Sequence, residues 1–169
     1  MIVNGSYLLK AAPILNMEET KRADHGVSWG MSEAGYDIRI KQEIYFARHE
    51  GVQKVILMAD TFEACHETRG RFTLASTIEQ FQMPNYLTGI VHDKSTWARR
   101  GLSVFNTVIE PGWHGFLTLE LVYHGDDELI IPAGSGIAQV MFHEVKAPAA
   151  YHGKYQFQDD RPVSAIESK

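Results

Sequence analysis

The hydrophobic positions of the chain recur with a period of two. Tyr36-Asp37-Ile38-Arg39-Ile40 alternates apolar and polar side chains, as do Phe72-Thr73-Leu74 and Leu117-Thr118-Leu119-Glu120-Leu121. Ile44-Tyr45-Phe46, Leu129-Ile130-Ile131 and Ile137-Ala138-Gln139-Val140-Met141-Phe142 add further strand-like runs. Successive side chains of a strand point to opposite faces, so each alternating run predicts a strand with one face in a core. Turn residues punctuate the runs at Pro84-Asn85, Gly89, Pro111-Gly112, Gly125-Asp126 and Pro132-Ala133-Gly134. Many short strands with turn signals between them predict an all-β sandwich, jelly roll or distorted barrel. Helix is scarce. Residues 6–12 fit a short helix ending before Pro13, and residues 95–100 fit a second, with Ser95 as N-cap and Gly101 at C′. From Ala147 onward no period is visible, and residues 147–169 read as a mobile C-terminal arm.

Composition narrows the class. At roughly 150 residues per domain, 169 residues make one domain spanning 1–169, long enough to bury a sizeable core. The formal net charge of −5 argues against non-specific nucleic-acid binding or a polybasic membrane contact, both of which need excess positive charge. Cys65 is the single cysteine, which excludes a disulfide framework and any zinc site built on paired thiolates. No apolar run approaches the ~18 residues of a membrane span, and the first residues lack the marks of a signal peptide, so a soluble, cytoplasmic protein is expected.

Candidate chemistry gathers in two stretches. Asp93-Lys94-Ser95-Thr96-Trp97-Ala98-Arg99-Arg100-Gly101 places hydroxyls and cations at a helix start, where free N–H groups favour an anion such as phosphate. A capped surface helix with solvated basic residues fits the same spacing. In the second stretch, Glu110 precedes a Pro111-Gly112 turn and Glu120 lies on the strand face opposite Leu119 and Leu121. A carboxyl on a mostly apolar strand suits general acid/base work near neutral pH. On pattern alone, a Glu120 that points to water or pairs with a structural arginine fits better. The dipeptides His49-Glu50, His66-Glu67 and His143-Glu144 extend to no metal motif and read as surface or structural. Cys65 reads as an inert thiol, and Trp29, Trp97 and Trp113 as core packing residues.

Taken in order, these segments resemble the dCTP deaminase branch of the dCTP deaminase/dUTPase family. Gly35-Tyr36-Asp37-Ile38-Arg39 is similar to its first motif, and Lys94-Ser95-Thr96-Trp97-Ala98-Arg99-Arg100-Gly101-Leu102 to its phosphate motif K/R-S-S-x-A-R-x-G-L. Ile109-Glu110-Pro111-Gly112-Trp113-His114-Gly115 resembles I-D-P-G-[WF]-x-G, and Thr118-Leu119-Glu120 the T-L-E that carries the catalytic glutamate. Gln139 sits in a Q-[LV]-x-F-like strand, and Gly153-Lys154-Tyr155-Gln156-Phe157-Gln158 resembles the G-K-Y-Q-x-Q tail.

The resemblance implies a dUTPase-like distorted β-barrel or jelly roll with short helices, assembled as a homotrimer whose active sites draw on more than one subunit. It implies zinc-independent hydrolysis of dCTP to dUTP and ammonia, with Glu120, Ser95 and Arg99 catalytic. Lys94, Ser95, Thr96, Trp97, Ala98 and Arg99 would meet the nucleotide, chiefly its triphosphate, with Mg2+ carried by the phosphates. Glu110 would line the sugar and base pocket, and backbone groups near Thr118 and Leu119 would read the pyrimidine edge. Gln139, Tyr151, Lys154 and Gln158 would hold the nucleotide, the last three from an arm that closes over it. The implied ligands are dCTP or dUTP, with dTTP a candidate inhibitor.

The chain also departs from the family pattern. Glu110 stands in place of Asp, Thr96 in place of the second Ser, and Phe157 where Gly is frequent, while the segment 103–107 is short and lacks T-A-G. Two alternatives therefore stand beside deamination. One is a bifunctional dCTP deaminase/dUTPase or a dUTP diphosphatase giving dUMP and pyrophosphate, with Glu110 activating water. The other is an inactive nucleotide-binding regulator.

Overall fold

The computed structural model describes residues 1–58 and 65–167. In chain order the elements are β1 (Ile2–Val3), α1 (Gly5–Ala11), β2 (Lys21–Asp24), β3 (Val27–Met31), β4 (Tyr36–Arg39), β5 (Glu43–His49), β6 (Val52–Met58), β7 (Cys65–Arg69) and β8 (Phe72–Gln82). They continue as β9 (Leu87–Asp93), α2 (Ser95–Ala98), β10 (Leu102–Val104), β11 (Val108–Ile109), β12 (His114–Tyr123), β13 (Leu129–Ile131) and β14 (Gly136–Glu144). Three antiparallel sheets form an all-β distorted barrel. The largest runs β11-β9-β14-β4-β3-β2 with β1 against β14; the others are β10-β12-β8 and β13-β5-β6-β7.

Alternation in the sequence becomes two-faced strands. Tyr36, Ile38, Leu119, Leu121, Val140 and Phe142 all point into one core and are essentially inaccessible to solvent. Burying a side chain of this size is worth about 1.5–3 kcal/mol, so a few such strands specify the inside of the barrel. The hairpins β2–β3 and β5–β6 turn through His25-Gly26 and Glu50-Gly51, whose paired positive φ angles match the two-residue turns that suit strand twist.

Some local expectations change. Gly89 is not a turn but the middle of β9, where a Cβ would press on Ile109 and Val140 at 3.1 Å. The second helix is one turn long, and its N-cap is Lys94 rather than Ser95. The Lys94 carbonyl accepts from the N–H groups of Trp97 and Ala98, which makes Ser95 the first helical residue. Trp97 and Trp113 are buried as expected, whereas Trp29 is half-buried beneath the guanidinium of Arg39, 3.9 Å from its ring centre. The side chain of Cys65 lies outside the described residues, as do residues 168–169 at the end of the arm.

A buried ion pair ties the large sheet to β8. Glu79 accepts from the Nε–H of Arg39 at 2.9 Å through one oxygen, and from its backbone N–H at 2.8 Å through the other. Burial pushes the Glu79 carboxyl above its ordinary value of 4.5, against the lowering pull of those Arg39 donors. A raised folded value means that the native state holds the proton more tightly than the unfolded chain. The stability from this group is therefore fully present below the unfolded value and is lost as pH rises through the folded one. The Tm of the wild type minus that of Glu79→Gln is expected to fall as pH rises over the range above the ordinary carboxylate value. A difference that stays flat across that range in thermal melts would sink the assignment.

Candidate active site

The pairing of β12 with β8 builds the floor of a cavity of about 460 Å3. Glu120 lies opposite Leu74 and Val122 opposite Phe72 in this ladder, and a register shift between Phe116 and Thr118 marks a bulge. Thr118 and Glu120, two residues apart, face the cavity together with Phe72 and Leu74, while Leu119 and Leu121 go to the core. The Glu120 side chain is partly exposed within this cavity and makes no ion pair with an arginine among the described residues. Among the described residues its hydrogen-bond partner is the Thr107 hydroxyl, at a long 3.4 Å. Thr107 comes from the short segment before β11, and that segment also brings Val108, Ile109 and Glu110 to the wall.

Glu110 reaches the rim through a turn that its neighbours dictate. Its carbonyl accepts from the Trp113 N–H, with Pro111 and Gly112 between them. Gly112 has φ +71°, as the third residue of a type II turn requires. A Cβ on Gly112 would also press on Ala150 at 3.1 Å, and one on Gly115 would strike the backbone N of Gln158 at 2.7 Å. These two glycines are where the C-terminal segment crosses β12.

That segment does not stand free of the barrel. The Trp113 Nε1–H donates to the Tyr155 carbonyl at 2.7 Å, the His114 N–H to Gln156 Oε1 at 2.8 Å, and the Phe116 N–H to the Gln158 carbonyl at 3.2 Å. Gly115 and Gln158 form a parallel bridge, and the Val163 N–H donates to the Thr118 hydroxyl at 2.9 Å. Tyr151, Tyr155, Gln158, Val163 and Ala165 consequently form the cavity roof. Phe157 takes a left-handed conformation, φ +62°, which accounts physically for glycine being suited to that place.

Of the residues singled out from sequence, Glu110, Thr118, Glu120, Tyr151 and Gln158 line this one cavity. Leu119 has its side chain in the core. Lys154 is exposed, with its ammonium donating to the Ile166 carbonyl. The remaining group stands elsewhere, around α2. Ser95, Thr96, Ala98 and Arg99 are exposed there, and Arg99 takes part in no ion pair among the described residues. Trp97 is buried and donates through Nε1 to the Gly136 carbonyl at 2.7 Å. Lys94 is turned inward onto Asp37 at 2.5 Å, and Gln139 donates to Ser32 and Asp37 rather than facing the cavity.

Sequence reasoning missed Phe72, Leu74, Thr107 and Val163 as parts of the site. Phe72 and Leu74 carried only a strand signal, and which strand their face would meet is a matter of tertiary pairing. Among the described residues no group of three His, Cys, Asp or Glu side chains is gathered to hold a metal ion. No helix among them is long and apolar enough to cross a membrane.

Comparison with known proteins places the chain in a family and a fold. A dCTP deaminase-like family model matches residues 14–145. The chain is 36% identical over 147 residues to a dCTP deaminase of Campylobacter lari, covering 78% of each chain. It is 34% identical over 147 residues to one of Protochlamydia amoebophila, covering 78% of this chain and 77% of the relative. In fold it is similar to a dUTPase of Staphylococcus bacteriophage 80alpha with dUpNHpp, with a TM-score of 0.51 at 16% identity over 80% of this chain and 81% of that one. It is also similar to a dUTPase of Staphylococcus aureus phage phi11 described with a structural Mg(II) ion, with a TM-score of 0.52 at 13% identity over 83% and 95%.

The Trp113 hydrogen bond is one of the anchors of the roof beside the Pro111-Gly112 turn, whose own carbonyls accept from the Tyr151 N–H and from Gln156 Nε2. Trp113→Phe, which keeps the apolar ring but removes the donor, is expected to weaken this attachment by about 1 kcal/mol. Amide hydrogen exchange should then rise selectively in residues 151–158, while the β8–β12 amides keep their protection. Unchanged exchange in the roof would remove Trp113 from this role.

Proposed function

The chain belongs to the dCTP deaminase-like family, and from that membership we propose that it hydrolyses dCTP to dUTP and ammonia without zinc, a step in the cytoplasmic supply of dTTP precursors. The observation that carries this reading is the position of Glu120, a carboxylate set among apolar side chains in the one cavity that also holds Thr118 and Glu110. Water would attack C4 of the cytosine while Glu120 takes its proton. Glu120 passes that proton to the ring N3, then takes the remaining proton from the new C4 hydroxyl and gives it to the amino group, so that the C4–N bond breaks and ammonia leaves behind a C4 carbonyl.

Ser95, Thr96 and Arg99 serve in this reading as the triphosphate seat, with hydroxyls and a guanidinium presented outward on α2. Magnesium enters with the triphosphate, whose oxygens hold it. None of the α2 residues lines the cavity that holds Glu120, which supports a homotrimer in which α2 of one subunit completes the cavity of another. Tyr151 and Gln158, already in the roof, would hold the nucleotide together with Lys154 and Gln139, and dTTP would compete for the same seat.

Glu110 shares the cavity with Glu120, and this favours one second reading, cleavage of the triphosphate to dUMP and pyrophosphate with Glu110 activating water. Incubation with magnesium and dCTP, or separately dUTP, separates the two by chromatography and ammonia assay. Deamination predicts dUTP and ammonia without pyrophosphate, and dUMP moves the weight to Glu110. Tight dCTP binding without any turnover points to a regulator. Glu120→Gln is expected to slow ammonia release by about 10²–10⁴-fold while dCTP still binds; normal turnover in that variant removes Glu120 from the mechanism. Arg99→Ala is expected to weaken dCTP binding, and unchanged affinity would count against α2 as the phosphate seat.

A further inference from the structure

The cavity does not end at Glu120. In the β8–β12 ladder Leu74 stands opposite Glu120 and Phe72 opposite Val122, and both Leu74 and Phe72 line the cavity. Phe72 therefore lies one two-residue step, about 6.8 Å, beyond Glu120 on the side away from Thr118. Its side chain is 47% exposed and pairs with Phe105, which is 51% exposed, at 6.4 Å between ring centres. Two adjacent aromatic rings left open beside a cavity make a surface suited to an apolar part of a ligand.

The place of this wall relative to the carboxylate is fixed. The link between β10 and β11 has three residues, Phe105, Asn106 and Thr107. The Phe105 N–H donates to the Glu120 carbonyl at 3.0 Å, and the Thr107 hydroxyl donates to the Glu120 carboxylate at 3.4 Å. Both ends of the link are thus tied to Glu120, one through its backbone and one through its side chain. Phe72 is held by β8 pairing with the same strand.

In the deamination proposed above, Glu120 works at the ring N3 and at the amino group on C4, with the rest of that edge toward Thr118. C5 adjoins C4 on the side away from N3, so it is directed past Glu120 toward Phe72 and Phe105. We propose that these two rings form a subsite for a substituent on C5, and that the protein also deaminates 5-methyl-dCTP, giving dTTP and ammonia. The inference rests on the reading of Glu120 as the deaminating carboxyl. Water adds at C4, the C4–N bond breaks and a C4 carbonyl forms, as with dCTP; the methyl group takes no part in the bond changes. It exchanges contact with water for contact with the rings. Phe72 and Leu74 line this end of the cavity and are both apolar, which suits a methyl group better than a hydroxylated one. Phe72 and Phe105 are accordingly specificity residues, which touch the substrate away from its reacting atoms.

The test is steady-state kinetics with magnesium on 5-methyl-dCTP and on dCTP, with nucleotide products resolved by chromatography and ammonia assayed. The ratio of kcat/KM for 5-methyl-dCTP to that for dCTP is expected to be about 4, the worth of one buried methyl group. In Phe72→Ala and in Phe105→Ala the ratio is expected to fall to about 1, because the wall is halved in each. If dCTP is consumed and 5-methyl-dCTP is not, this proposal falls and the dCTP reading stands. If neither is consumed, both fall. Turnover of 5-methyl-dCTP alone overturns dCTP as the substrate and upholds the subsite. An unchanged ratio in both alanine variants removes the rings from C5 and overturns the proposal. If sedimentation velocity also shows a changed assembly in those variants, the rings are a contact between copies of the chain instead. Where an alanine variant does not fold, the leucine variant at the same position carries the measurement, and an unchanged ratio there is equally decisive.

Discussion

A β-strand has two faces, and the molecule depends on β12 using both. Leu119 and Leu121 commit one face to the core, and that commitment leaves Thr118 and Glu120 on the other with no choice of direction. Slipping the pairing with β8 by one residue would send Glu120 into the core and Leu119 into the cavity. The apolar side of the strand therefore fixes the chemistry of the polar side. Packing energy spent on the core also holds the carboxylate in place, which is what a proton-transferring group needs.

The same division appears on β4. Tyr36, Ile38 and Ile40 are buried in the core, while Asp37 and Arg39 share the opposite face. Each of these charges is paired under cover, Asp37 with Lys94 and Arg39 with Glu79. Desolvating two charges is costly, so such pairs contribute little net stability compared with apolar packing. What they supply is direction. Arg39 joins β4 to β8, the strand that floors the cavity, and Asp37 joins β4 to the start of α2.

The C-terminal segment adds a third layer. It is bound mainly through its backbone, with Trp113, Gln156 and Thr118 supplying the side-chain partners. Backbone pairing across β12 demands close approach, and Gly112 and Gly115 provide it. The Thr118 hydroxyl that faces the cavity is already engaged by the Val163 N–H, so the roof and the floor meet at a residue of the family's T-L-E motif.

What the sequence by itself determined is what local chemistry can write. Period-two alternation announced β4, β5, β8, β12, β13 and β14, including both faces of β12, because side-chain direction in a strand depends only on position parity. The order of short motifs identified the family, and Pro111-Gly112 announced its turn. Tertiary structure alone decided how the candidates were grouped. Glu110, Thr118, Glu120, Tyr151 and Gln158 share a cavity because β8, β11 and the C-terminal segment converge on β12, and no spacing along the chain encodes that convergence. β2 escaped notice because all four of its residues are exposed and carry no apolar alternation. Gly89 passed for a turn because a missing side chain looks the same in sequence whether it frees the backbone or makes room for Ile109 and Val140. A cation beside hydroxyls at Lys94 is written in the sequence, whereas only the fold brings Asp37, fifty-seven residues earlier, within reach of it. Charge is written locally, but the partner that satisfies it is chosen by which strands lie side by side.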